Sequence, residues 1–315
     1  KKWMRVPDTK LPYGSWWSDC IFDPYEPEDL IYMTGAGAFK LCNILEGDEN
    51  KVYSEQFSYG IEELCMNTLL TLPKKEENQP ILLEGYMDYG GAWHGEDYTL
   101  PHTVQQNAYA EGLGMDYCAS DPSIVVKGST MGTSDESAGY ISISTDYGRT
   151  FKLSPAWKQE YNPQNLAVSA TKQANGKPVI IVFTSYTNKL FRSADLGESW
   201  EELDVPDFWT GKEPTNFWAR SMQVVCSDRV KGNVFYLRDN QNFLSSDDFG
   251  KTWKIMSKMS GDVTWAMETM YGSPGEVWAC HKGSLKYTRD GGKSWQSVPG
   301  FGASYGVTFG KNKST

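Results

Sequence analysis

One eight-residue pattern, Ser/Thr-x-Asp-x-Gly-x-Ser/Thr-aromatic, occurs four times in this chain, and no other feature narrows its folding so far. The copies begin at Ser144, Ser193, Ser246 and Thr288 and end on Phe151, Trp200, Trp253 and Trp295. Their aspartates, Asp146, Asp195, Asp248 and Asp290, lie 49, 53 and 42 residues apart. Each copy follows an alternating run such as Tyr140-Ile141-Ser142-Ile143 and precedes a second short run, which predicts a hairpin turn. In such a turn glycine supplies a positive φ, the Asp and Ser/Thr side chains bond turn backbone, and the aromatic packs inward.

A second marker is a turn after an inner strand: Asp23-Pro24, Asp121-Pro122 and the looser Asp228-Arg229. Each leads into an apolar run, namely Leu30-Ile31-Tyr32, Ile124-Val125-Val126 and Val234-Phe235-Tyr236. Together the markers give repeat units at 15–59, 60–110, 111–160, 161–211, 212–260 and 261–299. Six units of four short strands are the size of propeller blades. The ends extend the pattern. Lys2-Trp3-Met4-Arg5-Val6-Pro7 looks like the tail of a box, as in Ser294-Trp295-Gln296-Ser297-Val298-Pro299, and Ser304-Tyr305-Gly306-Val307-Thr308-Phe309 looks like a first strand. The expectation is an all-β protein: one β-propeller domain over residues 1–315, with six clear four-stranded antiparallel blades and a composite seventh made from the two termini. The same ends suggest a segment of a longer protein.

Composition agrees and excludes much. Thirty Gly, twelve Trp, eighteen Tyr and thirteen Phe among 315 residues suit a turn-rich β protein. Thirty basic against forty acidic residues give a net charge of −10, with no basic patch, so neither nucleic acid nor an anionic membrane is an expected partner. The longest apolar stretch, Val179 to Phe183, is too short to span a bilayer. Cys20, Cys65, Cys118 and Cys226 each sit in a short apolar segment that opens a repeat, which favours small buried thiols, although an even count also permits disulfides. His94, His102 and His281 are scattered and no Cys-x-x-Cys pair exists, so no metal and no cofactor are expected.

The segment that departs most from the repeat is Leu83-Glu84-Gly85-Tyr86-Met87-Asp88-Tyr89-Gly90-Gly91-Ala92-Trp93-His94. Gly90 and Gly91 would let a ligand approach the backbone, beside an acid flanked by Tyr86, Tyr89 and Trp93. Aromatic faces next to a carboxyl suit a sugar-cleaving site, where apolar surroundings raise the acid toward a proton donor. The same residues also suit a capped turn whose aromatics fill space between blades.

The four boxes resemble the Asp-box of sialidases, sortilin-type receptors, photosystem assembly factors and glycoside hydrolase family 74, where the box is a hairpin staple usually away from the active site; the resemblance implies that Asp146, Asp195, Asp248 and Asp290 are structural. More specifically, Gly14-Ser15-Trp16-Trp17, Asp23-Pro24, Leu30 to Gly37, Gly60-Ile61-Glu62-Glu63, Asp88-Tyr89-Gly90-Gly91 and Asp121-Pro122 resemble the second propeller of family 74 xyloglucanases. The order continues through the boxes to Gly306-Val307-Thr308-Phe309-Gly310. That resemblance implies inverting hydrolysis of a β-1,4-glucan backbone in a cleft between two propellers, one aspartate coming from each. It makes Asp88 the expected general acid. The base, at a Thr-Asp-Val-Gly-Gly-like motif of the first propeller, has no counterpart here, and Glu84, Glu96, Asp97 and Asp116 do not match it. An inverting pair stands roughly 6.5–9.5 Å apart. Ala92-Trp93 also replaces the family's usual Phe-Arg before His94. The expected substrate contacts are Tyr89, Gly90, Gly91 and His94, with Trp16, Trp17 and Trp93 for stacking; packing between blades is the alternative for each tryptophan.

Two functions follow. The first is one half of a xyloglucan-type endo-glucanase, whose partners are a β-glucan or xyloglucan oligosaccharide and a second propeller. The second is a non-catalytic propeller that binds protein or glycan as a scaffold module of a plant-cell-wall-degrading system. A sialidase lacks support because no arginine triad is found, and a sortilin-type receptor would be expected to bring a cysteine-rich module. Acidity and the resemblance imply secretion.

Overall fold

A computed structural model of the chain describes residues 18–34, 37–45, 51–56, 66–86, 90–95, 102–103, 111–131, 138–205, 208, 223–239, 241–259, 263–281, 284–304 and 306–310. All regular structure among them is β, in six four-stranded antiparallel sheets. The first contains β1 (Asp19–Phe22), β2 (Leu30–Thr34), β3 (Gly37–Cys42) and β4 (Tyr53–Gln56). The second contains β5 (Met66–Thr71), β6 (Leu82–Tyr86), β7 (Ala92–His94) and β8 (His102–Thr103). The third contains β9 (Glu111–Cys118), β10 (Asp121–Met131), β11 (Ala138–Ser144) and β12 (Lys152–Leu153). The fourth contains β13 (Asn162–Val168), β14 (Ile180–Ser185), β15 (Leu190–Ser193) and β16 (Glu201–Leu203). The fifth contains β17 (Val225–Ser227), β18 (Phe235–Arg238), β19 (Asn242–Ser246) and β20 (Lys254–Lys258). The sixth contains β21 (Val263–Thr269), β22 (Val277–His281), β23 (Ser284–Thr288) and β24 (Gln296–Ser297). Every sheet is a meander in chain order and lies inside one of the six expected repeat units.

The described residues fall into two compact units, one within Lys1–Cys65 and the other within Met66–Thr315. The first holds β1–β4. Tyr32 and Phe39 face each other across the β2–β3 register and stack at 5.4 Å, forming a small core with Leu41. Lys40 bridges Asp23 and Asp29 at 3.0 and 2.8 Å across the turn that follows β1.

The second unit holds five sheets, and its hydrophobic clusters lie between consecutive sheets. Leu83 of β6 packs with Tyr117 and Val125 of the third sheet, and Val126 and Ile141 of the third pack with Ile180 and Phe191 of the fourth. Ile181 and Leu190 then meet Phe235 and Leu244 of the fifth, and Tyr236 and Phe243 meet Met267 and Val277 of the sixth. Strands such as β14, with all six residues buried, are therefore apolar on both faces, as a sheet sandwiched between two others requires.

The repeated turns occupy equivalent places, joining the third and fourth strands of the last four sheets. In the third sheet Ser144 Oγ donates to Asp146 Oδ1 at 2.7 Å and accepts from Gly148 N at 2.8 Å. Thr150 N and Oγ1 donate to the two oxygens of Asp146 at 2.9 and 2.6 Å. The same bonds recur around Asp195, Asp248 and Asp290. One detail differs from the sequence expectation. Positive φ is shared with the residue before glycine, at 63° for Tyr147, 61° for Leu196 and 61° for Phe249. The aromatics Phe151, Trp200, Trp253 and Trp295 pack inward as expected, against the clusters between their own sheet and the preceding one.

Cys118 and Cys226 are buried as expected, whereas Cys20 is exposed, because every residue of β1 is exposed at the edge of its sheet. Cys65 lies outside the described residues, and none of the described cysteines is in a disulfide. The first-strand expectation for Ser304–Phe309 differs from what is seen. Residues 306–310 carry no strand, since no described strand offers them a ladder, although Val307 packs against Ala266 and Leu285. The matching N-terminal segment lies outside the described residues. No helix among the described residues is long and apolar enough to cross a membrane.

Candidate active site

The glycine pair that singled out residues 83–94 sits at the corner between β6 and β7. Gly90 and Gly91 have φ of 28° and 147°. A side chain on Gly91 would begin 2.1 Å from the Glu84 carbonyl oxygen, so only glycine lets the chain close onto β6 at this point. The ladder pairs Leu82 with His94, Leu83 with Trp93 and Glu84 with Ala92. Alternation then sends neighbouring side chains to opposite faces.

On one face the Glu84 carboxylate lies between two partners: His94 Nε2 at 3.1 Å and the Tyr86 hydroxyl, which donates to its other oxygen. Both side chains of the Glu84–His94 pair are about nine-tenths buried, with 12% and 11% exposed. On the other face Trp93 packs with Leu83, Leu72, Tyr117 and Val125. Its ring is half-buried in the contact between the second and third sheets.

A residue that sequence reasoning missed completes the corner. Lys127 of β10 is 2% exposed, and its Nζ donates to the Gly90 carbonyl. Burial lowers its pKa to about 8. The one visible signal was an interruption: Lys127 follows the apolar run Ile124-Val125-Val126, where a strand buried on both faces has no use for a charge.

Asp88, Tyr89, Trp16 and Trp17 lie outside the described residues, as do Glu96 and Asp97. Of the other carboxylates considered for a base, Glu84 is held by His94 and Tyr86. Asp116 sits on β9, the inner strand, 4% exposed. It accepts from Tyr117 N at 2.8 Å, Val168 N at 2.7 Å and Arg229 Nη2 at 2.7 Å. The box aspartates are fully occupied by their turns. Burial alone would raise Asp146, Asp195 and Asp248, but their hydroxyl and amide donors hold all three below the ordinary carboxylate range. At Asp290 the Ser294 and Thr288 hydroxyls act with almost no opposing burial and bring the pKa to about 2. Groups this acidic do not serve as proton donors near neutrality. Among the described residues no cluster of three or more His, Cys, Asp or Glu is placed to hold a metal ion.

With this geometry in hand, known proteins of similar sequence can be compared. The profile of a family described as "Sortilin, neurotensin receptor 3" matches residues 139–282. Xyloglucanase Xgh74A of Acetivibrio thermocellus is 28% identical over 314 residues, covering 98% of this chain and 34% of its own length. The oligoxyloglucan-reducing end-specific xyloglucanase of Emericella nidulans is 22% identical over 320 residues, covering 92% of this chain and 37% of its own. This chain therefore spans about a third of the length of these two relatives. The crystal structure of a GH74 enzyme from Niastella koreensis aligns with a TM-score of 0.65 at 22% identity, over 90% of this chain and 37% of that one, a likeness of fold. Over nearly its whole length, then, the chain is similar to the xyloglucanases of glycoside hydrolase family 74, and its sheets share the propeller-like fold of a GH74 enzyme.

Proposed function

We infer that the chain is the Asp88-bearing propeller of an inverting endo-β-1,4-glucanase acting on xyloglucan, with Asp88 as general acid. The observation that carries this reading is similarity to xyloglucanases over 98% of the chain, running through the Asp88-Tyr89-Gly90-Gly91 segment. The corner described above supports it. Gly91 closes onto Glu84, and Lys127 holds the Gly90 carbonyl, so the backbone is fixed at Gly90 and Gly91. A rigid support of this kind is what a proton donor needs to meet a glycosidic oxygen in one orientation. The base and the facing wall of the cleft come from a second propeller, and a composite seventh blade from the two termini belongs to the same reading.

The test is the release of reducing ends from xyloglucan by the full-length parent protein carrying Asp88→Asn or Asp88→Ala. Loss of a general acid typically costs about 10²–10⁴-fold in kcat. A loss confined to KM, or none, removes Asp88 from the mechanism.

A second reading, a non-catalytic module that binds protein or glycan, draws on one observation. Glu84 and Asp116 are both committed to internal partners, which leaves neither to activate water. If the full-length protein releases no reducing ends while still retaining xyloglucan on a column, this second reading prevails.

A further inference from the structure

The box turns give a common reference for comparing the sheets. In the last four sheets the first Ser or Thr of the box faces one residue across the ladder: Val125, Ile180, Phe235 and Val277. Two residues further along the same strands stand Lys127, Val182, Leu237 and Ala279. A step of two stays on one face of a strand. In every case that face meets the preceding sheet, as the packing of Val125, Val182, Leu237 and Ala279 shows.

Val182, Leu237 and Ala279 are fully enclosed, whereas the third sheet sets a lysine at this place, 2% exposed. An ammonium is costly to bury where hydrocarbon would serve. The fourth, fifth and sixth sheets show that the stack closes without a charge here. Lys127 therefore answers a need of what lies opposite it, and its Nζ donates to the Gly90 carbonyl on the corner of the second sheet. A repeat broken at one place is where function overrides packing.

The corner is short. Strand β6 ends at Tyr86, paired with Met66, and the chain is held again at Gly90, so Met87-Asp88-Tyr89 runs between two fixed points. We propose that Lys127 is a positioning residue for the Asp88 general acid, fixing the Gly90 carbonyl and through it the backbone that carries the acid. This rests on the reading of Asp88 given above. Lys127 is enclosed and meets no substrate, so it bears on the orientation of proton transfer, which kcat reports, and not on ground-state binding.

Reducing-end release from xyloglucan by the full-length parent protein tests this, with Lys127→Met and Asp88→Asn assayed side by side. Met matches lysine in length and offers no donor. Assay well below each unfolding midpoint makes kcat a property of the site rather than of the folded fraction. For Lys127→Met, kcat should fall about tenfold or more while KM stays within about twofold. If that variant does not fold, Lys127→Gln keeps an N–H donor on a shorter side chain, and its kcat should fall about threefold at unchanged KM. Parental kcat in the variant used, or a loss carried by KM alone, overturns the inference; beside an inactive Asp88→Asn it does so while leaving Asp88 as the acid. A parent that releases no reducing ends, or an Asp88→Asn protein as active as the parent, overturns both.

Discussion

Lys127 keeps its ammonium inside the third sheet, bonded to the Gly90 carbonyl, and no carboxylate among the described residues offsets its burial. Its pKa of about 8 lies below the 10.5 of an exposed lysine, so the unfolded chain holds this proton to higher pH than the folded one. Stability therefore rises as pH passes from about 8 to 10.5, because the folded state no longer carries a buried charge. Urea unfolding of Lys127→Met beside the parent should show that rise missing from the variant, a difference of up to about 3 kcal/mol across the interval. An unchanged slope would mean the ammonium reaches solvent. Gly292 offers a second residue-scale test. A methyl there would begin 2.1 Å from the Phe243 ring at a φ of 90°, whereas Gly176, with a φ of 77°, has open space around it. Gly292→Ala should cost about 2–4 kcal/mol in overpacking and backbone strain, and Gly176→Ala about 1 kcal/mol from backbone alone. Equal costs would show that the close approach to Phe243 carries no energy.

At the level of the element, the box turn does two jobs with one set of residues. Its polar half closes a hairpin, and its glycine and aromatic dock that hairpin on the sheet before it. Gly148, Gly197, Gly250 and Gly292 lie against Leu83, Ile143, Ile181 and Phe243, each from the preceding sheet. Asp195→Ala removes bonds from the Ser193 hydroxyl and from the amide and hydroxyl of Ser199, two of them in the ordinary range at 2.8 and 3.0 Å. The expected loss is about 1–3 kcal/mol in chemical unfolding, with no change in binding of any ligand at the β6–β7 corner. A change in ligand binding would mean that the turn reaches beyond its hairpin.

Across the whole molecule the four boxes act together on acid stability. All four aspartates are more acidic folded than the usual 3.8, and Asp290 reaches about 2. Their contribution is complete above about 3.8 and is lost as pH falls through the lower folded values, down to about 2. Tryptophan fluorescence during acid titration should thus show unfolding at a higher pH when Asp146, Asp195, Asp248 and Asp290 are replaced by asparagine. An identical midpoint would mean that other carboxylates govern acid unfolding.

The sequence by itself determined the six meanders, their boundaries and the placement of the four turns. Those depend on interactions within about ten residues, such as alternation along a strand and the Ser/Thr–Asp–Gly bonding of a turn, so the pattern is written where it acts. It also marked the corner at Gly90 and Gly91, because a paired glycine departs from the repeat. Only the tertiary structure decided what meets that corner and what holds Asp116. Lys127 reaches Gly90 across 37 residues and Arg229 reaches Asp116 across 113, each from a different sheet. In the sequence Lys127 was a charge at the end of an apolar run and Arg229 part of a looser copy of an Asp-Pro turn, two departures without partners. Which groups pair across sheets depends on how the meanders stack and on the cost of leaving a buried charge unmatched, and no local pattern carries that information.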